Sequence, residues 1–203
     1  MKNYIIKEIS KSESKNLLEK YHYLTNESKG FRSGHNYGLH KNNEIVGVCI
    51  FNGVSVPETL KGCLNLSRGD QDGFFELGRL CLKPGIKEKN ILSWFVSYSL
   101  RKLKKKVTLR GVLSYADSRY HNGYIYQACN FKYYGLTSTK KDFWYKLEDG
   151  SFKKHSRGKV KGFSGEWRVR PQKHRYLILY DKNLNALWEE CPYPKSANKN
   201  PLN

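Results

Sequence analysis

This 203-residue sequence predicts an α/β (α+β) fold, a mixed central sheet with helices on both faces. Three observations predict it. Short alternating apolar segments recur as strands, one long segment carries a helical period, and the two kinds of element interleave along the chain instead of segregating.

In order, residues 4–9 alternate weakly and read as a first strand. Residues 12–23 read as a helix, with Ser12 as cap and Glu19 and Lys20 facing water. Residues 36–40 and 44–54 form a hairpin around the turn Lys41, Asn42 and Asn43. The stretch "FFELGRLCLKPG", 74–85, is a strand with Leu77, Leu80 and Leu82 apolar and a Pro-Gly stop. Asn90 is placed to cap the helix "ILSWFVSYSLRKLKKK", whose apolar stripe includes Ile91, Phe95, Tyr98 and Leu103. Residues 111–116 form the next strand and 122–130 a short helix; 131–135, 143–147 and 176–180 form further strands. The division expected is a core over 1–150 and a basic extension over 151–203 packed on it, with a frayed end.

Charge is the strongest compositional fact. Lys and Arg number 37 against 18 Asp and Glu, a formal net charge of +19. Such an imbalance points to a polyanionic partner, nucleic acid first. Apolar runs of membrane-spanning length and a leader pattern at the N-terminus are both missing from the sequence, so the expectation is no membrane and a cytoplasmic protein. The five cysteines form no CxxC pair, which argues against a zinc knuckle or disulfide frame and for reduced thiols.

The succession of strand 74–85, loop, long helix and strand 111–116 resembles the core of the GNAT N-acetyltransferases. In that family the loop before the long helix cradles the pyrophosphate of acetyl-CoA at a helix N-terminus, where free amides and the helix dipole meet phosphate. Here the loop is 85–90, with Lys87, Lys89 and Asn90 as the groups that would hold a CoA-type donor. The family's Gly-rich loop motif is absent.

Three further stretches, "FFELGRLCLKPG", "FVSYSLRKL" and "LSYADSRYHNGYIYQACNFKYYGLT", occur in the same order as in the Mom DNA-modification proteins of bacteriophages, and the chain resembles that family best over 76–136. The resemblance implies a GNAT-like enzyme acting on double-stranded DNA. It would convert the adenine N6 amino group to a carbamoylmethyl (acetamido) form and so protect phage DNA from host restriction. It further implies a bound iron, and a catalytic set of Arg79, Asp117, Tyr37 and Ser99. Its metal set would be His22, Tyr23, Asp117 and Tyr126.

Each of these residues also has a plainer reading. Asp117 follows a strand end, where it is either a helix cap or Asx-turn or else a metal ligand or general base. Tyr126 is a packed tyrosine, an iron ligand or a base-stacking ring. His22 is a terminal surface residue or a ligand, with His121 as its rival. Arg79 interrupts an apolar strand and needs a partner. Glu76 lies three residues away, so strict alternation puts it on the opposite face, and Arg79 then faces a site as a clamp. A DNA-binding strip is expected from Lys153, Lys154, Arg157, Lys159, Lys161, Trp167, Arg168, Arg170, Lys173 and Arg175, where cations alternate with aromatics. Two alternatives stand beside the leading reading: a conventional acetyl-CoA-dependent acetyltransferase for a protein or small amine, and a nonenzymatic basic DNA-binding protein.

Overall fold

The computed structural model describes residues 1, 3–23, 31–155, 160 and 162–195. Ten strands and four helices follow one another as β1 (Tyr4–Glu8), α1 (Lys11–Tyr21), β2 (His35–Lys41), β3 (Glu44–Gly53), α2 (Pro57–Leu64), β4 (Phe74–Leu82), α3 (Ile91–Lys106), β5 (Gly111–Asp117), α4 (Tyr124–Gln127), β6 (Lys132–Leu136), β7 (Lys140–Lys146), β8 (Phe152–Lys154), β9 (Gly165–Arg170) and β10 (Lys173–Leu179). Seven strands make the main sheet in the order β1-β2-β3-β4-β5-β10-β6, and β8-β7-β9 make a small second sheet. The mixed α/β class read from the sequence is the class observed.

The cap of α1 is Ser10, not Ser12. Its side chain accepts from the Glu13 amide while Glu13 reaches back to the Ser10 amide, satisfying two end donors at once. The helix α2 was not expected; Pro57 opens it and Leu60, Cys63 and Leu64 bury its inner face. The predicted helix over 122–130 shrinks to the single turn of α4, which Gly123 enters at positive φ and which ends at a right-handed Ala128, two residues before Asn130 turns left-handed. Asn90 is itself left-handed, with φ 62° and ψ 11°, and its side chain does not cap α3.

The division at residue 150 does not separate two bodies. Strand β10 lies inside the main sheet between β5 and β6, and β7 pairs with both β8 and β9. The block after 151 is also more regular than its Gly- and Ser-rich composition suggests, since it supplies β8 and β9.

One face of the main sheet packs on α3 and α4. Phe95, Val96, Leu100 and Leu103 of α3 meet Tyr37, Phe51, Leu77, Val112 and Tyr176 there. The other face carries two separate apolar clusters. Leu17 and Leu18 of α1 cover Val48, Ile50 and Cys81, while Leu60, Cys63 and Leu64 of α2 cover Phe74, Leu113 and Leu177. Polar residues occupy the gap between them.

Two irregularities shape that gap. Between the pairs Ile50↔Arg79 and Phe51↔Leu77, β4 has one extra residue, Gly78, which is a β-bulge. A Cβ on Gly78 would fall 2.1 Å from Oδ1 of Asn52, so any larger residue there would displace the Asn52 side chain. The parallel ladder of β4 with β5 ends at Leu77↔Ser114, where the Ser114 hydroxyl donates to the Leu77 carbonyl at 3.2 Å. Beyond that point β4 runs on to Leu82 and β5 to Asp117, and the sheet opens between them.

Candidate active site

The bulge decides which side chains face the gap. Leu77 and Leu80 both enter the α3-side core, so Glu76 and Arg79 both emerge on the opposite face. The expectation that they point apart is therefore corrected: strict alternation fails where an extra residue enters the strand. Glu76, Gly78 and Arg79 line a cleft of about 280 Å³ together with Phe31, Arg32, Asn52 and Ser55. The Ser55 amide donates to Glu76 Oε2 at 3.2 Å, and Arg79 donates to its neighbour's carbonyl, that of Gly78, at 2.7 Å. Asn52 is buried and donates from its amide to the Gly53 carbonyl at 2.9 Å.

His22 ends α1, and its imidazole is held down to about 4, mostly by burial and then by the charges of Arg79 and His121. It is a neutral imidazole at pH 7. The ring of Tyr23 stacks on His22 at 4.6 Å and lies 4.6 Å from Tyr120 and 6.1 Å from His121. Burial also lowers the His121 pKa, with nearby Asp117 opposing and His174 adding to the effect. The charges of Arg79 and His121 are thus both felt at His22, and that of Asp117 at His121.

The pH dependence of folding follows. The unfolded chain protonates His22 near the ordinary value of 6.5, whereas the folded chain resists until about 4. Stability is therefore full above pH ~6.5 and falls as pH drops toward 4. The His22 share is about 1–2 kcal/mol at pH 5 after allowing for its partial exposure. Urea midpoints at pH 7.5 and 5.0 check this. His22→Gln is expected to lose less stability between the two than the parent chain, and parallel losses would assign the effect elsewhere.

Asp117 is buried, and its carboxylate is committed. Its Oδ1 accepts the Arg119 amide at 3.0 Å and Nε at 3.1 Å, and its Oδ2 accepts Nη2 at 2.9 Å. Burial pushes its pKa up, but the Arg119 bonds and the charge of Lys173 outweigh this and the net shift is downward. A carboxylate so held is a poor proton acceptor near neutral pH. Its geometry is that of an Asx-turn carrying a guanidinium, with Arg119 displayed at the strand end.

Tyr37, Ser99 and Tyr126 lie on the α3 side of the sheet, with Tyr126 near enough to Tyr23 for that phenol to oppose its ionisation. Tyr37 and Ser99 are wholly buried, and their hydroxyls have no hydrogen-bond partner among the described residues. Ser99 adjoins the buried thiol of Cys49, and burial lifts the Tyr37 phenol to about 12. Tyr126 packs on Phe131 and Tyr176 at 5.8 and 5.2 Å, and burial pushes its phenol far up despite the Ser114 hydroxyl beside it. The catalytic set read from the sequence thus divides, with Arg79 on the cleft and Tyr37 and Ser99 in the core behind the sheet.

The iron set does not fit. Asp117 spends both oxygens on Arg119, and burial pushes the Tyr126 phenol up, so neither is pre-set as an anionic ligand. A CoA-type donor fits better. No side chain caps α3; the Ile91 amide donates to the Glu88 carbonyl at 3.2 Å, and the amides of Leu92 and Ser93 are left to meet phosphate. Lys87 and Lys89 flank that end exposed, and the intervening Glu88 carboxylate is drawn away to Lys41 at 2.8 Å.

The basic strip is only partly as expected. Lys154 and Arg170 converge on the largely buried Asp142, Lys154 at 2.6 Å and Arg170 Nε at 3.0 Å, so one of their two charges is balanced locally. Arg168 lies over the rings of Trp144 and Phe152 at 4.8 and 4.6 Å. Lys173 and Arg175 belong to β10 in the main sheet, and Arg175 is half-buried with its guanidinium 4.5 Å above Trp188. Lys153 and Trp167 are exposed. Arg157, Lys159 and Lys161 lie outside the described residues.

Two residues that sequence reasoning passed over complete the site. Glu76 was assigned to the wrong face and Asn52 was not singled out. The isolated Gly78 within a strand pattern was the available signal for both.

A seven-stranded mixed sheet, opened between a parallel strand pair and backed by an uncapped helix, is the fold of the GNAT acetyltransferases. The chain resembles the ribosomal-protein-S5-alanine acetyltransferase of Vibrio fischeri at 13% identity and a TM-score of 0.54, over 90% of this chain and 96% of that one. A GNAT family acetyltransferase from Elizabethkingia anophelis with acetyl-CoA bound matches at 15% identity and 0.51, over 88% and 99%. The IAA acetyltransferase from Bacillus cereus ATCC 14579 matches at 13% and 0.51, over 87% and 99%. At such identities the likeness concerns the fold alone. The chain belongs to the Mom protein family, whose family model matches residues 3–195. No curated protein matches it.

Proposed function

We propose that the protein is a GNAT-fold enzyme that converts the N6 amino group of adenine in double-stranded DNA to the carbamoylmethyl form. This is the modification that its family resemblance implies, together with protection of phage DNA from restriction in the host cytoplasm. The observation that carries the reading is the polar cleft of Asn52, Glu76 and Arg79, set between two apolar clusters at the opening of β4 from β5.

Adenine N6 is a weak nucleophile because its lone pair is delocalised into the ring, so its reaction requires a proton acceptor. Glu76 presents a carboxylate in the cleft for that purpose, with one oxygen already oriented by the Ser55 amide. The neutral His22 near Arg79 is a second basic group at the same place. Arg79 is a planar donor suited to a phosphate or carboxylate oxygen. The amides of Leu92 and Ser93 in the first turn of α3, with Lys87 and Lys89, would hold the diphosphate of a CoA-type molecule; acyl transfer from its thioester alone would give N6-acetyladenine, so the carbamoylmethyl product also requires a donor of the amide nitrogen. The target amine is paired inside a duplex, so the base must be extruded to reach the cleft. The net charge of +19 supports a DNA partner, whose binding would weaken steeply with salt.

Expression of the chain in a bacterium, followed by mass spectrometry of nucleosides from plasmid DNA, tests the proposal. A new adenosine species heavier by one acetamido group is expected. Unmodified adenosine alone, despite abundant folded protein, would reject it. The fold also favours a conventional acetyltransferase as a second reading, which would acetylate a protein or small amine in the absence of DNA.

A further inference from the structure

We infer that the small sheet β8-β7-β9 is a stacking platform for an unpaired stretch of nucleic-acid strand. Residues directly opposed across antiparallel strands share a face. The register Lys141↔Val169, Phe143↔Trp167 and Tyr145↔Lys153 therefore gathers two aromatics of β7, two apolar groups of β9 and two lysines on one face. Trp167 is 57% exposed, Val169 62% and the adjoining Phe163 48%, whereas Phe143 is buried with its ring edge-on to Trp167 at 5.4 Å. The indole is thus braced from beneath and bare above.

The opposite face is arranged differently. There Arg168 covers Trp144 and Phe152 and pairs with Glu166, and Lys154 and Arg170 share the single carboxylate of Asp142. One face has its rings covered by Arg168, while the other leaves the rings of Trp167 and Phe163 open beside the exposed Lys141 and Lys153. The ligand that complements this is one with flat apolar faces and regularly spaced negative charge. An unpaired strand offers both, with its bases on Trp167 and Phe163 and its phosphates toward the lysines. A fully paired duplex offers only the phosphates.

The platform is tied to the strand end that carries Asp117. The backbone amide and hydroxyl of Ser118 donate to the Gln172 carbonyl at 3.2 and 2.7 Å, and the Gln172 side chain donates to the Thr137 carbonyl at 2.6 Å. A strand opened beside the modification site would meet the platform at that edge. The inference rests on the nucleic-acid half of the proposed function and not on the adenine chemistry.

The test uses the full chain with no donor present. Fluorescence anisotropy measures its affinity for a labelled single-stranded DNA, the same sequence as RNA, and the same sequence as a blunt duplex. Trp167→Ala is expected to weaken single-strand binding by about tenfold, with Trp167→Phe close to the parent and duplex binding little changed. Phe163→Ala, at an exposed ring, is the second variant and should weaken the same binding to a lesser degree. A loss on DNA and RNA alike supports a base-stacking surface, and a loss on DNA alone supports it with DNA as the source of the strand. Unchanged single-strand affinity in both alanine variants, or an equal loss on the duplex, would overturn the inference. Absence of modified adenosine in the mass-spectrometric experiment, with Trp167-dependent strand binding intact, would reject the proposed function and leave the platform standing.

Discussion

Arg79→Ala is expected to lower adenine modification by at least ~10²-fold, a loss typical of removing a charged group that positions or stabilises a reacting centre. Its thermal midpoint should stay within a few degrees of the parent. The two expectations come from one observation. Among the described residues Arg79 makes no ion pair, and its hydrogen bond goes to the adjacent Gly78 carbonyl, so its guanidinium is held at the cleft without holding the fold. Arg79→Lys keeps the charge but loses the planar fork, and should recover only a small part of the activity. Nucleoside mass spectrometry and a melting curve on the same preparations decide the matter. A collapsed fold in Arg79→Ala would make the arginine structural, and retained modification would remove it from the site.

The sequence exposed those parts of this molecule that obey a period. The helix α3 has its apolar stripe, and β2, β3, β5 and the first half of β4 have theirs, which is enough to place the sheet and the opening beside β5. The parts that broke a period were hidden. Gly78 shifts β4 by one residue, so the alternation that reads Glu76 as facing away from Arg79 is valid on either side of the bulge and false across it. Strand β9 does alternate, with Trp167 and Val169 against Glu166, Arg168 and Arg170. Its neighbours are so rich in Lys, Gly and Ser that composition outweighed pattern, and its apolar face is not buried to confirm it. The helix α2 is short and holds Gly62, leaving Pro57 and the spacing of Leu60, Cys63 and Leu64 as its only marks. The proposed metal set failed for a different reason. Residue type told which side chains are able to bind iron, but the commitment of Asp117 to Arg119 is a tertiary fact that no spacing reports.

That commitment sets the second large effect. Replacing Asp117 should impair both activity and stability, unlike replacing Arg79. Asp117→Ala removes the acceptor of the Arg119 amide and of its guanidinium from a buried position, at a cost of about 2–3 kcal/mol. Asp117→Asn keeps one carbonyl oxygen for the amide and loses the charge, and should cost about 1 kcal/mol, since the Arg119 side chain is 42% exposed. For a domain of this size each kcal/mol lowers the midpoint by about 2–4 °C. If Asp117 acts by holding Arg119 at the mouth of the site, Arg119→Ala should lose modification to a similar degree. The double variant should then be no worse than either single one, because both changes remove the same unit. If instead the carboxylate reacts directly, the losses multiply. The cycle is read by nucleoside mass spectrometry at a temperature where all four proteins are folded, so that the stability cost of Asp117→Asn does not stand in for a catalytic one.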